Sequence, residues 1–455
     1  MKELFKDRLF LKQVLVITLP FAFQNLISAS LNMVDTIMIG RLGEAEIAAV
    51  GLSNQVFFLF HLLLFGVNSG AAIFTAQFWG NRDVKGIRKV LGIALITGTT
   101  VGLFFSLVGI IIPGHIISLF STDPDVIRLG SQYLQLVSIS NVFNAVTMAY
   151  AFTLRSAGQV TLPVIINFIA LCINTCFNYL LIYGHYGFPR MEVKGAAIAT
   201  VLARLLECLL IIAVIYGKKL VPAGKLKELT GFNSGFVGKY FKTTAPVIFN
   251  EFFWALGVTM FAVVYARMGT GTIAAINIFA TVERLSMVVF FGLAQAAAVM
   301  IGNQIGAGGE SDALCYAKRF CCFGPLLGLL IGGSLIFAAD LILSVYNVPS
   351  EVIKIAKQII LVYSIIMPFK IFNLINVVGV LRSGGDTRFS LILDTVGLWL
   401  IAVPLAFLSG LVWKLPPHLV YLLTALEEVF KLGLGANRLL TGKWINNLTH
   451  LGHSG

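Results

Sequence analysis

The sequence predicts an all-α integral membrane protein with twelve transmembrane helices in two pseudo-symmetric six-helix lobes. Three observations predict it. Of the 455 residues, 58% are hydrophobic and only 12% charged, about half the charged share of a soluble domain. The apolar residues come in continuous runs of helical length, where a membrane barrel requires alternation. Polar and glycine landmarks of the first half recur at a fixed spacing in the second.

Twelve runs approach the ~20 residues that cross a bilayer. They fall at 14–37, 48–72, 90–112, 127–149, 160–184 and 193–216, then at 240–265, 273–299, 317–339, 352–378, 388–412 and 418–440. The first is too long for a signal-peptide core and no small-residue cleavage site follows it, so it reads as a span. The longest polar stretch, with lysines, glycines and Pro222, divides the chain near its middle. The expected organisation is a six-helix lobe over 1–216, a cytoplasmic linker over 217–238 and a second six-helix lobe over 239–455.

Basic residues set the orientation. With the N-terminus inside, 22 Lys and Arg fall in inner segments and 8 in outer ones, with Arg204, Arg284 and Lys370 inside spans. The bias predicts cytoplasmic termini in a plasma-membrane protein.

The halves repeat. Leu19-Pro20 matches Ala245-Pro246, Arg41-Leu-Gly43 matches Arg267-Met-Gly269, and Ala76-Gln-Phe-Trp-Gly80 matches Gly302-Asn-Gln-Ile-Gly306, all at one offset, 246 − 20 = 306 − 80 = 226. Leu154-Arg-Ser-Ala-Gly158 matches Leu381-Arg-Ser-Gly-Gly385 one residue later. Six spans per repeat is an even number, so both halves insert in the same direction. Pro20 and Pro246 each remove a backbone donor from the first helix of their half; both a fixed kink and a hinge are open readings.

The acids within spans are the candidate functional residues, since a carboxylate at the bilayer centre costs about 2.5–3.5 kcal/mol or more. Glu251 lies in the long apolar run 243–257 and is a candidate cation or proton site, with sodium the one metal ion envisaged. Asp35 lies ~31 Å along its helix, in the outer half of the membrane; an ion site and an acid paired at the helix end are both open. Asn174 and Asn178, spaced i, i+4, share a face and form a pocket with Asp35 or serve as interhelical glue. Asn277 in the eighth span carries the same two readings. Asp386 lies at an inner loop, flanked by Arg382 and Arg388 as salt-bridge partners. Arg204 and Glu207, spaced i, i+3, are expected to neutralise each other.

Other classes of function find no support. The net charge of +12 sits in short loops, without a basic stripe interleaved with aromatics, so no nucleic-acid partner is expected. No nucleophile–His–acid set, phosphate-binding loop or Cys/His metal motif occurs, and no disulfide framework is implied by the six cysteines. His61, the only histidine deep in a span, reads as packed. The loop Gly80–Lys89 resembles the Gly/Asp/Arg loop of major facilitator transporters, but its internal spacing is off by one and a basic loop explains it.

With these residues in view, the chain resembles the multidrug and toxic compound extrusion (MATE) family along nearly its whole length. The resemblance rests on Val34-Asp-Thr-Ile-Met-Ile-Gly-Arg-Leu-Gly43, Gln77-Phe-Trp-Gly80, Asn303-Gln-Ile-Gly306, the paired Leu-Arg-Ser-x-Gly loops and Glu251. It implies a V-shaped cavity between lobes and export of amphipathic, often cationic, small molecules in exchange for sodium or protons. It implies no cofactor beyond that ion. It makes Asp35 a first-helix coupling acid, Glu251 a seventh-helix cation-binding acid, Asp386 a tenth-helix acid and Asn174 a first-lobe pocket residue. Asn178 departs from the family: the branch related to DNA-damage-inducible transporters has aspartate there. A monomer exporting by alternating access is expected. The alternatives are a lipid-linked oligosaccharide flippase of the same superfamily, which would carry more cationic residues in its cavity, and a membrane-embedded enzyme.

Overall fold

The computed structural model describes residues 8–449. Lys2 and Lys6, two of the expected inner charges, lie outside the described residues. The described chain is helical throughout. It begins with α1 (Arg8–Gly40), α2 (Glu44–Gly80), α3 (Val84–Ile111) and the short α4 (Pro113–Ser118). It continues through α5 (Pro124–Val137), α6 (Ser140–Ser156), α7 (Thr161–Tyr183), α8 (Glu192–Gly217) and α9 (Leu226–Leu229). The second half opens on α10 (Ser234–Arg267), α11 (Thr270–Gly306) and α12 (Glu310–Leu343). α13 (Ser350–Leu374) runs on in π-helical form over Ile375–Leu381. α14 (Thr387–Val396) and α15 (Val403–Phe407) are linked and followed by π-helical turns, and α16 (Pro417–Thr424) and α17 (Leu426–Thr441) complete the fold.

Among the described residues ten helices are long and apolar enough to cross a membrane, and α5 with α6, bent by 47° at residues 138–139, makes up to eleven if counted as one span. The expected final span, 418–440, is instead two helices that meet at Ala425. Three charged residues, Glu427, Glu428 and Lys431, gather just after that junction.

The repeat is visible in the helix ends. α2 and α11 start and stop at matching positions, 270 − 44 = 306 − 80 = 226. The turns before them use Gly43 at φ 158° and Gly269 at φ 123°, where an L side chain is strained. α7 and α14 also begin 387 − 161 = 226 residues apart. Pro20 and Pro246 both lie inside their helices.

By contact, the described chain forms two compact units. The first comprises residues 23–79 and 83–241. Its interior holds Phe60, Leu64 and Ala145 in one cluster and Met38, Val50, Tyr133 and Ile182 in another. The second comprises residues 8–22, 80–82 and 242–449, with a larger core around Phe290, Phe320, Tyr363 and Met367. α1 contributes to both units, its first 15 described residues (8–22) to the second and the rest to the first; α10 likewise contributes 234–241 to the first. Large apolar side chains such as Phe104, Ile111, Leu330, Phe337 and Leu341 face outward, as lipid contact requires.

Residues 217–238 do more than span a gap. α9 lies on α3 so closely that a Cβ at Gly92 would collide with the Leu229 carbonyl. Arg88 of α3 donates both to the Val221 carbonyl and to Glu228, at 3.2 and 2.9 Å. Asp83, in the loop that resembled a transporter motif, caps α3 by accepting from the Gly86 amide at 2.9 Å.

Candidate functional site

In the first unit the structure brings Asn174 and Asn178 together with Asp35. Asn178 Nδ2 donates to Asp35 Oδ1 at 2.8 Å and lies 3.3 Å from Asn174 Oδ1. Asn174 Nδ2 in turn donates to Thr200 Oγ1 of α8 at 3.4 Å. The two asparagines are buried, 7% and 2% exposed, and Asp35 is half-buried. One turn of α7 therefore hands a chain of amides from α8 to the carboxylate on α1. Among the described residues no Lys, Arg or His forms an ion pair with Asp35, and the Asn178 amide is its one hydrogen-bond partner.

A second polar layer lies along the same helices. Arg204 and Glu207 pair at 2.6 Å, as their spacing predicts, and Asn167 donates to Glu207 at 3.0 Å. Arg155, expected among the loop charges, instead belongs to the last turn of α6 and donates to Gln24 Oε1 of α1 at 3.1 Å. His61 is not merely packed: its Nε2 lies 3.1 Å from the Asn144 amide nitrogen.

The second unit is organised differently. Arg382 Nη1 donates to Glu251 Oε1 at 2.7 Å, and both side chains are nearly buried, at 5% and 13% exposure. Asp386 bonds neither flanking arginine. It precedes the first turn of α14 and accepts from Arg438 Nε at 2.7 Å, while that guanidinium stacks 4.9 Å over Phe389. The expected loop pairing of Asp386 with Arg382 and Arg388 is thus corrected: Arg382 is drawn to Glu251, and Arg388 is exposed. The physical reason is burial, since a guanidinium withdrawn from water needs a carboxylate beside it. Lys370, one of the basic residues expected inside a span, is bonded to Glu283 and lies 5.7 Å over the Tyr363 ring. Lys431 joins Asp394 and Glu427, so it is an interior charge and not a loop charge. Asn277 is exposed on α11.

Two groups of polar side chains in a helical membrane bundle, one in each repeat, invite comparison with known proteins. A family model described as MatE matches residues 20–180 and again residues 246–408. The chain belongs to the MatE family. The two matches begin 246 − 20 = 226 residues apart, the offset of the sequence repeat. A probable multidrug resistance protein NorM of Thermotoga maritima is 24% identical over 447 residues, covering 95% of this chain and 93% of that protein. An uncharacterized transporter YisQ of Bacillus subtilis is 25% identical over 383 residues, covering 83% and 82%. A mutant of the Vibrio cholerae MATE transporter VcmN shares the fold with a TM-score of 0.86 at 17% identity, over 95% of this chain and 97% of that one. A MOP superfamily transporter from Pyrococcus furiosus, described as having a binding pocket of reverse polarity, matches with a TM-score of 0.84 at 17% identity, over 95% and 96%. The MatE chain is accordingly an all-α membrane transporter of twelve transmembrane helices in two pseudo-symmetric lobes, and not an enzyme.

Sequence reasoning missed Thr200, Asn167, Gln24 and the Asn144–His61 contact. All but the histidine are neutral polar residues within apolar runs, a signal present in the sequence but shared by much interhelical glue.

Proposed function

We propose that this MatE chain is a cation-coupled antiporter that exports amphipathic, often cationic, small molecules, with Asp35 as the acid that exchanges the coupling ion. One observation carries the reading. Glu207, Glu251, Glu283 and Asp394 each hold a guanidinium or ammonium, whereas Asp35 is held by a neutral amide. An acid already neutralised by a tethered base gains little from a soluble cation. An acid held by an amide and by no ion-pair partner gains more from sodium or a proton.

Alternating access follows from this charge logic. The drug is held by neutral polar and aromatic groups, with acids balancing its charge. Arrival of a cation at Asp35 from outside removes the negative charge and favours the rearrangement that releases the drug. The Asn178 amide remains available to a carboxylate or a neutral acid, so the pocket persists through both states. Glu251 and Asp386 enter the cycle as acids that must release Arg382 and Arg438 before they can take an ion. Asn174 and Asn178 line the substrate side of the first lobe, and Asn277 contributes from the surface of α11. The distribution of Lys and Arg supports a plasma-membrane protein with both termini in the cytoplasm. A single chain is the transporting unit, because each lobe holds its own polar group.

Transport of a fluorescent lipophilic cation into proteoliposomes, under separate sodium and proton gradients, tests this. Gradient-driven movement that Asp35→Asn abolishes supports it; equal movement by that variant refutes the role of Asp35.

A further inference from the structure

A group of charges on α17 lies beyond the segments that the MatE model matches, which end at residue 408. Glu427, Glu428 and Lys431 stand there, and Asp394 reaches them from α14. Lys431 Nζ is 3.3 Å from Asp394 Oδ1 and 3.4 Å from Glu427 Oε2. Asn250 of α10, next to the Glu251–Arg382 pair, donates to Asp394 Oδ2 at 2.9 Å. Asn373 of α13 donates to the Glu428 carbonyl at 2.8 Å and to its Oε2 at 2.7 Å. The lysine stem passes over Gly397, where a Cβ would stand 2.8 Å from Lys431 Cε. The charged groups acting on Glu427 are Lys431 and Glu428 on its own helix and Asp394 on α14. Lys370 of α13, already bonded to Glu283 and close to Tyr421 of α16, acts on Glu428 from the far side.

Two shortages mark this group. The first is of positive charge, since Asp394 and Glu427 share the one Lys431 ammonium while Glu428 stands beside them. Surplus buried charge is among the most costly arrangements inside a membrane. The second is of hydrogen. Asn376 is fully buried, and among the described residues neither its Oδ1 nor its Nδ2 has a partner. Asn373 Oδ1 is also buried without a hydrogen bond, and Glu427 Oε2 has no hydrogen bond beyond its ion-pair contact with Lys431 at 3.4 Å. Asn376 faces α17 one turn beyond Lys431, where a Cβ at Gly435 would stand 2.5 Å from its Nδ2. Asn373 Oδ1 and Glu427 Oε2 lack a hydrogen-bond donor within the group, and Asn376 stands about two turns further along α17 than Glu427. Leaving such atoms unbonded carries a desolvation penalty. A proton supplies both the missing charge and a donor. A metal ion fits less well, because among the described residues no three His, Cys, Asp or Glu side chains converge on one point.

We propose that Glu427 is a proton-binding site of the second unit, distinct from Asp35, Glu251 and Asp386. One proton from water adds to a carboxylate oxygen of Glu427, and no other bond is made or broken. The Lys431 ammonium then belongs to Asp394 alone, and the new O–H becomes a donor within the acceptor-rich group.

Infrared difference spectroscopy of the full chain in lipid, titrated from alkaline to acid pH, reads this directly through the C=O stretch of protonated carboxyl groups. It needs no transported substrate, so a negative result leaves the antiport reading standing, and failed antiport leaves this site standing. The expected result is a carboxyl band that grows on acidification, is unmoved by added sodium, persists in Asp35→Asn and is lost in Glu427→Gln. Should Glu427→Gln fail to fold, Glu427→Asp is expected to retain the band at a shifted frequency. A band that survives Glu427→Gln, or that sodium removes at constant pH, overturns the proposal.

Discussion

Asn178 gives its amide to Asp35 at 2.8 Å, and no Lys, Arg or His among the described residues shares that carboxylate. The contact joins residues 143 positions apart in the chain and fixes α1 against α7 in the first unit. Replacing Asn178 with alanine leaves Asp35 without its donor. The expected outcome is transport reduced at least tenfold, on the order of 1.4 kcal/mol in the coupling step, the usual scale for a hydrogen bond to a charged group. Initial uptake rates in proteoliposomes, normalised to folded protein, measure it.

Asn178→Asp is the complementary change. It sets a second carboxylate beside Asp35, with the oxygens of Asn174 and Thr200 nearby. Two carboxylates and neutral oxygens form the ligand set a hard cation prefers. The variant is expected to respond to a sodium gradient more strongly than the parent protein. An unchanged ratio of sodium-driven to proton-driven uptake would rule this out.

The pair Glu251–Arg382 is buried on both sides. Removing one partner strands the other, at a cost of about 3–5 kcal/mol, while removing both is often far less harmful. Glu251→Gln and Arg382→Gln are each expected to lower the thermal unfolding temperature in detergent, and the double variant to recover most of the loss. Additive losses would show that the two side chains are not coupled. The same single variants are expected to lose coupled transport if Glu251 exchanges an ion.

Gly92 permits the contact between α3 and α9, since a Cβ there would meet the Leu229 carbonyl. Gly92→Ala is expected to cost about 1–3 kcal/mol through overpacking and to expose residues 217–238 to protease. Protection equal to that of the parent would contradict the packing.

Glu228 sits in the same contact, and the Lys225 amide, together with Arg88, holds its carboxyl below the usual 4.5. A lowered folded value means the contribution is complete above the unfolded value and is lost as pH falls through the folded one. Protease protection of residues 217–238 is therefore expected to be flat from neutral pH to pH ~5 and to weaken only in stronger acid. Glu228→Gln is expected to remove that acid dependence.

The architecture was legible because apolar runs have the length of a bilayer and because glycine and proline mark the same turns twice. Gly43 and Gly269, at φ 158° and 123°, show why such landmarks survive in both halves. The Asp35–Asn178 contact was legible in part, since a spacing of four puts Asn174 and Asn178 on one face whatever lies opposite. The partner of Glu251 was not legible. Arg382 is 131 residues away, and the sequence offered it a nearer acid in Asp386. Local charge spacing identifies i, i+3 pairs such as Arg204–Glu207, but burial decides among distant ones. The break at Ala425 within the last expected span, 418–440, is not legible, because hydropathy does not register it.

The most direct test is gradient-driven uptake of a lipophilic cation by proteoliposomes bearing the parent chain or Asp35→Asn, with the fold of both checked by their thermal unfolding. The account predicts uptake driven by a sodium or proton gradient in the parent and none above background in the variant. Uptake by Asp35→Asn at the parent rate would contradict it.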